Sequence, residues 1–381
     1  MSSPREVVFY PGGAKTGSSA LQTMLRCSVP GLKEAGWNYL NDLREGDSMG
    51  SATGNGPKLA TELVRAAGVD PNAFFDRIAM VSPNATDPLE LFDQMAPPGE
   101  RSIIAAEALS MLDAEHWAPI FHQLESEGGR ARIVLTVRDL YPTCWAGWAQ
   151  NIKIRCEKRK FEQYESLTRA RSVLDAPAQL RELSERFPSV LAPEDLTFLH
   201  YETIRSRLVP TLLESGGIPP EACDLDVGGS LDRPVNRSLD QVEIALMLQI
   251  NSEADRFHAS WCGQTLILRP GVKPPRIVLV PEVRDALVAE YSERLDDFNS
   301  RLPADTDWRL SVLDRDLTEI EELDPDAIHS PEARDAIEFL LSFDPAPELR
   351  DLLVSMLPEQ TPVDRVKRGL RSARAALRSR R

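Results

Sequence analysis

Lys15 is the first residue whose neighbours suggest chemistry. It lies in Val7-Val8-Phe9-Tyr10-Pro11-Gly12-Gly13-Ala14-Lys15-Thr16-Gly17-Ser18-Ser19-Ala20-Leu21-Gln22, where an apolar run gives way to a glycine turn, one ammonium group and three hydroxyls. Leu21, Met24 and Leu25 then recur at the three- and four-residue spacing of an amphipathic helix. Strand, turn and helix start together make an anion site, because the first N–H groups of a helix are unpaired and its dipole favours negative charge there. Ser18 and Ser19 can cap the helix or donate to phosphate oxygens. The same residues also fit an ordinary strand-turn-helix with a solvated lysine. The order differs from the nucleotide P-loop, in which Gly-Lys is followed by Ser or Thr.

Two more candidates follow predicted strands. Glu107 comes after Ile103-Ile104-Ala105-Ala106, and Arg138 ends Val134-Leu135-Thr136-Val137. A carboxylate at a strand end can serve as a general base if partial burial raises its pKa, or it can pair with an arginine. A guanidinium offers two parallel hydrogen bonds to phosphate, or an ion pair with Asp139 or a helix end. His116 and His122 lie on different faces of one predicted helix, and His200 reads as a half-buried packing residue. No metal is implied.

The elements that must position these residues alternate. Strands are predicted at 7–10, 101–106, 131–137 and 196–200, with a short extended piece at 36–40 and a loop over 47–55. Helices are predicted near 58–67, 89–95, 114–125, 142–152, 178–187, 240–257 and 281–302, with two short ones between 333 and 356. That alternation argues an α/β fold with a doubly wound, mostly parallel sheet flanked by helices. Ligands bind such sheets at the carboxyl ends of the strands, so Lys15, Glu107 and Arg138 should converge. We expect an α/β domain over 1–308 and a helical C-terminal extension over 309–381. Its basic end, 365–381, places Val366, Leu370, Ala373 and Leu377 at helical spacing, which fits peripheral membrane contact, a polyanion-binding tail or a frayed terminus.

Composition narrows the classes. A chain of 381 residues, 42% hydrophobic and 27% charged, can bury a large core. The net charge of −15 argues against nucleic acid as a partner, so an anionic cofactor must be held by local positive groups. Five scattered cysteines with no CxxC pair point away from zinc sites and disulfides and toward a reducing, cytoplasmic setting. Oligomeric state is not readable from the sequence.

Lys15-Thr16-Gly17-Ser18-Ser19 after a first strand resembles the 5′-phosphosulfate loop of sulfotransferases that use 3′-phosphoadenosine-5′-phosphosulfate (PAPS). Val134-Leu135-Thr136-Val137-Arg138-Asp139 resembles the same family's second phosphate motif. Tyr201-Glu202 resembles its Tyr-Glu step, and Asn236-Arg237-Ser238-Leu239 a segment of bacterial members. The pattern spans roughly the first 300 residues. The resemblance implies a P-loop-like fold, PAPS as donor and adenosine 3′,5′-bisphosphate (PAP) as product. It assigns the 5′-phosphate to Thr16, Gly17, Ser18 and Ser19, the bridging oxygen to Lys15, the 3′-phosphate to Arg138, and a nearby glutamate, Glu107, to the base. The family's serine eight positions after the arginine is Ala146 here, so Arg237, Ser238 or the basic stretch Lys153–Lys160 must supply another donor, or affinity falls. The acceptor would be a hydroxyl of a carbohydrate, glycolipid or small natural product, with Trp145, Trp148, Trp261 and Phe257 as candidate stacking surfaces or as core. A P-loop kinase or nucleotide hydrolase with Asp139 near magnesium is the alternative, and a non-catalytic PAP-binding relative is the third reading.

Overall fold

The computed structural model describes residues 4–13, 16–40, 54–75, 85–164, 166–223, 237–272, 277, 279–313 and 325–357. Lys15, Asn236, most of the 47–55 loop and the basic tail lie outside the described residues. In chain order the strands are β1 (Glu6–Tyr10), β2 (Trp37–Asn38), β3 (Arg101–Ala105), β4 (Arg130–Val137) and β5 (Leu196–His200). The longer helices are α1 (Ser18–Cys27), α2 (Pro57–Ala66), α3 (Pro88–Met95), α4 (Ala114–Glu127), α5 (Leu140–Arg155), α6 (Ser166–Arg186) and α7 (Leu208–Ser215). They are followed by α8 (Gln241–Glu253), α9 (Arg256–Leu266), α10 (Pro281–Ser300), α11 (Pro331–Leu341) and α12 (Pro347–Ser355).

The five strands form one sheet in the order β2-β3-β1-β4-β5. Every pairing is parallel, with Phe9 opposite Ile104 on one side and Ile133 on the other. Parallel strands need helical crossovers, which cover both faces and leave the strands buried on each. β1 shows why an unbroken apolar run is required. Phe9 packs against Phe92 of α3 and against Trp117 and Phe121 of α4. Val8 and Tyr10 point the other way, into a core with Leu21, Met24 and Leu25 of α1 and Leu212 and Leu213 of α7. The chain leaves central β1 for one edge, returns through β3, then crosses to β4 and β5. β1 and β4 therefore flank a switch point, where open α/β sheets bind ligands.

The chain divides into two compact units. The first comprises 1–148, 160–237 and 279–319 and holds the whole sheet. The second comprises 149–159, 238–278 and 320–381. The sequence reading places one boundary after residue 308; the units instead interleave along the chain, because α5 runs from the first into the second. Among the described residues no helix is long and apolar enough to cross a membrane.

Within the second unit the sequence predicts one helix over 240–257, and two are found. α8 ends at Glu253, and Asp255 caps α9 by accepting from the backbone N–H of Phe257 and His258. α8 starts with a reciprocal cap: Asp240 Oδ1 accepts from Glu243 N at 2.7 Å, and Glu243 Oε2 accepts from Asp240 N at 3.0 Å. Arg269 pairs with both carboxylates, at 3.0 Å to Asp240 Oδ2 and 2.9 Å to Glu243 Oε1. Asp240→Ala is expected to cost about 1–2 kcal/mol, the loss of a cap. Urea unfolding followed by circular dichroism should show it, with Asp240→Asn, which keeps the cap, losing less.

Candidate active site

The glycine turn joins β1 to α1. Gly17 is the N-cap of α1 in the left-handed region, at φ 81°, and no side chain caps the helix. A glycine belongs there both for that φ and because a Cβ would lie 2.1 Å from Leu208 Cδ2. A Cβ on Gly13 would lie 2.6 Å from the carbonyl oxygen of Thr136, so the turn presses against the end of β4. Thr16 is buried, and its hydroxyl donates to Gly13 O at 2.6 Å. That bond closes the turn and leaves the Thr16 oxygen able to accept. Ser18 and Ser19 are half-buried in the first turn of α1. Such a backbone, with helix N–H groups left uncovered by a capping side chain, suits the binding of a phosphate.

A cavity of about 70 Å³ opens beside the turn at the carboxyl ends of the strands. Gly13 and Thr16 line it from the turn, Glu107 from the segment after β3, and Arg138 from the end of β4. Three of the predicted residues, from three parts of the sequence, thus share one cavity. Lys15 itself falls between Gly13 and Thr16, outside the described residues. A second void, of about 10 Å³, lies between Tyr10, Thr16, Ser18 and Gln22 and has room for about one water. Tyr10 donates its hydroxyl to Leu212 O at 3.0 Å, and its burial pushes the phenol pKa far up.

Glu107 differs from expectation in one respect: it is exposed at the start of a short 3-10 turn, Glu107–Met111, not partly buried. Ser110 and Met111 from that turn and Val173 and Ala176 of α6 complete the opposite wall of the cavity. Nothing in the sequence marked these four, since small and apolar residues on a helix face read as core.

Arg138 donates its Nε–H to Glu202 Oε1 at 2.7 Å, and its guanidinium lies 5.0 Å from the Tyr201 ring centroid. Among the described residues no hydrogen bond reaches its two terminal nitrogens, and Arg138 lines the cavity. The Tyr-Glu step after β5 thus holds the arginine that ends β4, across neighbouring parallel strands. Asp139 turns away. Its Oδ1 accepts from Ser311 N at 2.7 Å, while Leu140 N and Tyr141 N donate to the carbonyls of Ser311 and Val312. Those bonds cover the N-terminus of α5, leaving α1 as the helix start at this end of the switch point. His200 is buried, not half-buried, and stacks on Trp308 with ring centroids 5.3 Å apart.

Other predicted residues fall elsewhere. Arg237 is half-buried at the end of a stretch of the first unit, and Ser238 is exposed at the start of a stretch of the second. The cavity's described lining includes neither Arg237 nor Ala146. Trp145 and Trp148 are core: Trp148 is fully buried, and both pack on Phe161. Within the basic stretch Lys153 is buried, and Arg159 pairs with Glu157 at 2.9 Å, holding that carboxyl below the usual range.

No protein-family model matches the chain, and no curated protein matches it. The solved structures similar to it include two sulfotransferases. A sulfotransferase from Alicyclobacillus acidocaldarius is 12% identical with a TM-score of 0.41, over 79% of this chain and 96% of that one. A sulfotransferase domain from the curacin biosynthetic pathway is 13% identical with a TM-score of 0.27, over 68% of this chain and 82% of that one.

Proposed function

We propose that this chain is a PAPS-dependent sulfotransferase acting on a hydroxyl of a carbohydrate, glycolipid or small natural product. The observation that carries the reading is the single cavity shared by Thr16, Glu107 and Arg138, beside an uncapped helix start and at the sheet's switch point. When bound, PAPS supplies an activated sulfuryl group whose leaving group is a bisphosphate.

The backbone N–H groups of Gly17, Ser18 and Ser19 and the hydroxyls of Ser18 and Ser19 would hold the 5′-phosphate, with Thr16 shaping the turn. Lys15 neutralises charge growing on the bridging oxygen. Arg138 presents its terminal nitrogens to the 3′-phosphate while Glu202 fixes its Nε and hence the plane of the fork. A hydroxyl donor is missing at Ala146; Arg237 and Ser238 remain candidates for it from the sequence resemblance alone. Glu107, exposed at the cavity mouth, takes the acceptor's proton, and Met111, Val173 and Ala176 offer the acceptor an apolar wall beside it.

Adenosine 3′,5′-bisphosphate is expected to raise the melting temperature without magnesium, and Lys15→Ala to remove most of that shift. ATP stabilisation that requires magnesium would instead favour a kinase or hydrolase. No shift with either nucleotide, at concentrations well above micromolar, would overturn the reading. Binding without labelled-sulfate transfer into any extract would leave a non-catalytic relative.

A further inference from the structure

Beside this cavity, three side chains from the ends of β4 and β5 meet: Asp139, His200 and Glu202. One ligand atom from each lies within 4.8 Å of the other two. His200 Nε2 stands 3.5 Å from Asp139 Oδ1 and 3.4 Å from Glu202 Oε2. Both separations exceed the roughly 2.7–3.2 Å of an N–H···O hydrogen bond. Both match the edge of a tetrahedron around a zinc ion, which for bonds of about 2.0–2.2 Å is about 3.3–3.6 Å. The Glu202 side chain is only 8% exposed, and its Oε2, directed at His200, has no hydrogen-bond partner among the described residues.

Each of the three is also oriented from outside the trio, as metal ligands are. Arg138 Nε holds Glu202 through the other carboxylate oxygen. The backbone N–H of Ser311 holds Asp139. His200 Nδ1 contacts Thr203 Oγ1 at 3.1 Å, and the Trp308 ring, inclined by 14°, fixes the imidazole plane. That engagement of Nδ1 leaves Nε2 as the nitrogen facing both carboxylates.

We propose that Asp139, His200 and Glu202 form a divalent cation site, with zinc as the ion favoured by one imidazole and two carboxylates that each stand at a tetrahedral edge length from that imidazole. Three protein ligands leave a fourth position open. The site's geometry does not depend on the nucleotide and would stand if PAPS were not the ligand, although Glu202 also holds Arg138. It was illegible in the sequence because its members lie far apart in the chain, joined only by the pairing of β4 with β5.

The test is titration of tag-free, chelator-treated protein with Co²⁺, a coloured probe of zinc sites. One equivalent should produce the intense visible bands of four-coordinate Co²⁺, and Zn²⁺ should abolish them. His200→Gln and Glu202→Gln should lose the bands while the sheet's circular dichroism is kept. Thr203→Ala, at an exposed residue outside the trio, should weaken Co²⁺ binding about 10–100-fold, and it keeps the test decisive if the ligand variants do not fold. Weak six-coordinate bands alone, no stoichiometric binding, unchanged binding in a folded His200→Gln, or unchanged affinity in Thr203→Ala would each overturn the proposal. An imidazolium clamped between two carboxylates gives the second of these results.

Discussion

Arg138→Ala is expected to lose the bisphosphate-induced thermal shift and to cost roughly 2–4 kcal/mol of folding stability. The two losses have different origins. Glu202 is 8% exposed and gives one oxygen to Arg138, so removing the arginine strands a buried carboxylate next to Asp139. Breaking such a pair from one side costs about 3–5 kcal/mol when both partners are fully dry. Arg138 retains 17% of its exposure, which lets water repay part of that. Arg138→Ala combined with Glu202→Gln removes the stranded charge and should recover much of the stability, while the ligand shift stays absent. Arg138→Lys keeps the charge but not the planar fork, and should bind the bisphosphate weakly. Urea unfolding and thermal shift on the four proteins separate the effects. A double variant that regained the ligand shift would mean that Arg138 serves only the fold.

That dual role explains what the sequence could and could not tell. β1 and the inner part of β3 were legible because strands buried on both faces run apolar, as Phe9 and Ile104 do; β4 and the half-buried edge strand β5 were legible from the apolar residues that outnumber Arg132, Thr136 and Thr197 in them. The convergence of Thr16, Glu107 and Arg138 followed from one topological rule, that strand ends of a parallel sheet share an edge. Partnerships across strands were not legible. Asp139 neighbours Arg138 in sequence, yet the partner of Arg138 is Glu202, reached through the β4–β5 pairing. The exposure of Glu107 was not legible either, because strand length alone does not say where the sheet's rim ends. The single helix over 240–257 failed because Asp255, with its side chain on the backbone of Phe257 and His258, offers a cap that apolar periodicity does not register. Trp145 and Trp148 could be sorted into core only once Phe161 was seen to pack against them.

Gly54→Ala should be among the most damaging single-methyl changes, at about 2–5 kcal/mol. Gly54 sits at φ 75°, and a Cβ built there lies 1.8 Å from the carbonyl oxygen of Ala105, the last residue of β3. The obstacle is backbone, so no rotamer change can relieve it. Retreat would also strain Asn55, whose Nδ2 donates to Ile103 O and whose Oδ1 accepts from Ala105 N, both at 2.9 Å. Those two bonds fasten the loop to β3 just before Glu107. Gly36→Ala is the matched control: Gly36 has φ 80° but nothing within 4 Å of a built Cβ. It should lose only the left-handed penalty, about 1–2 kcal/mol, whereas Gly54→Ala adds overpacking worth about 1–3 kcal/mol. Urea midpoints of the two variants read the difference directly. Equal losses would mean that the loop over β3 yields freely, and that Glu107 is not held in place by it.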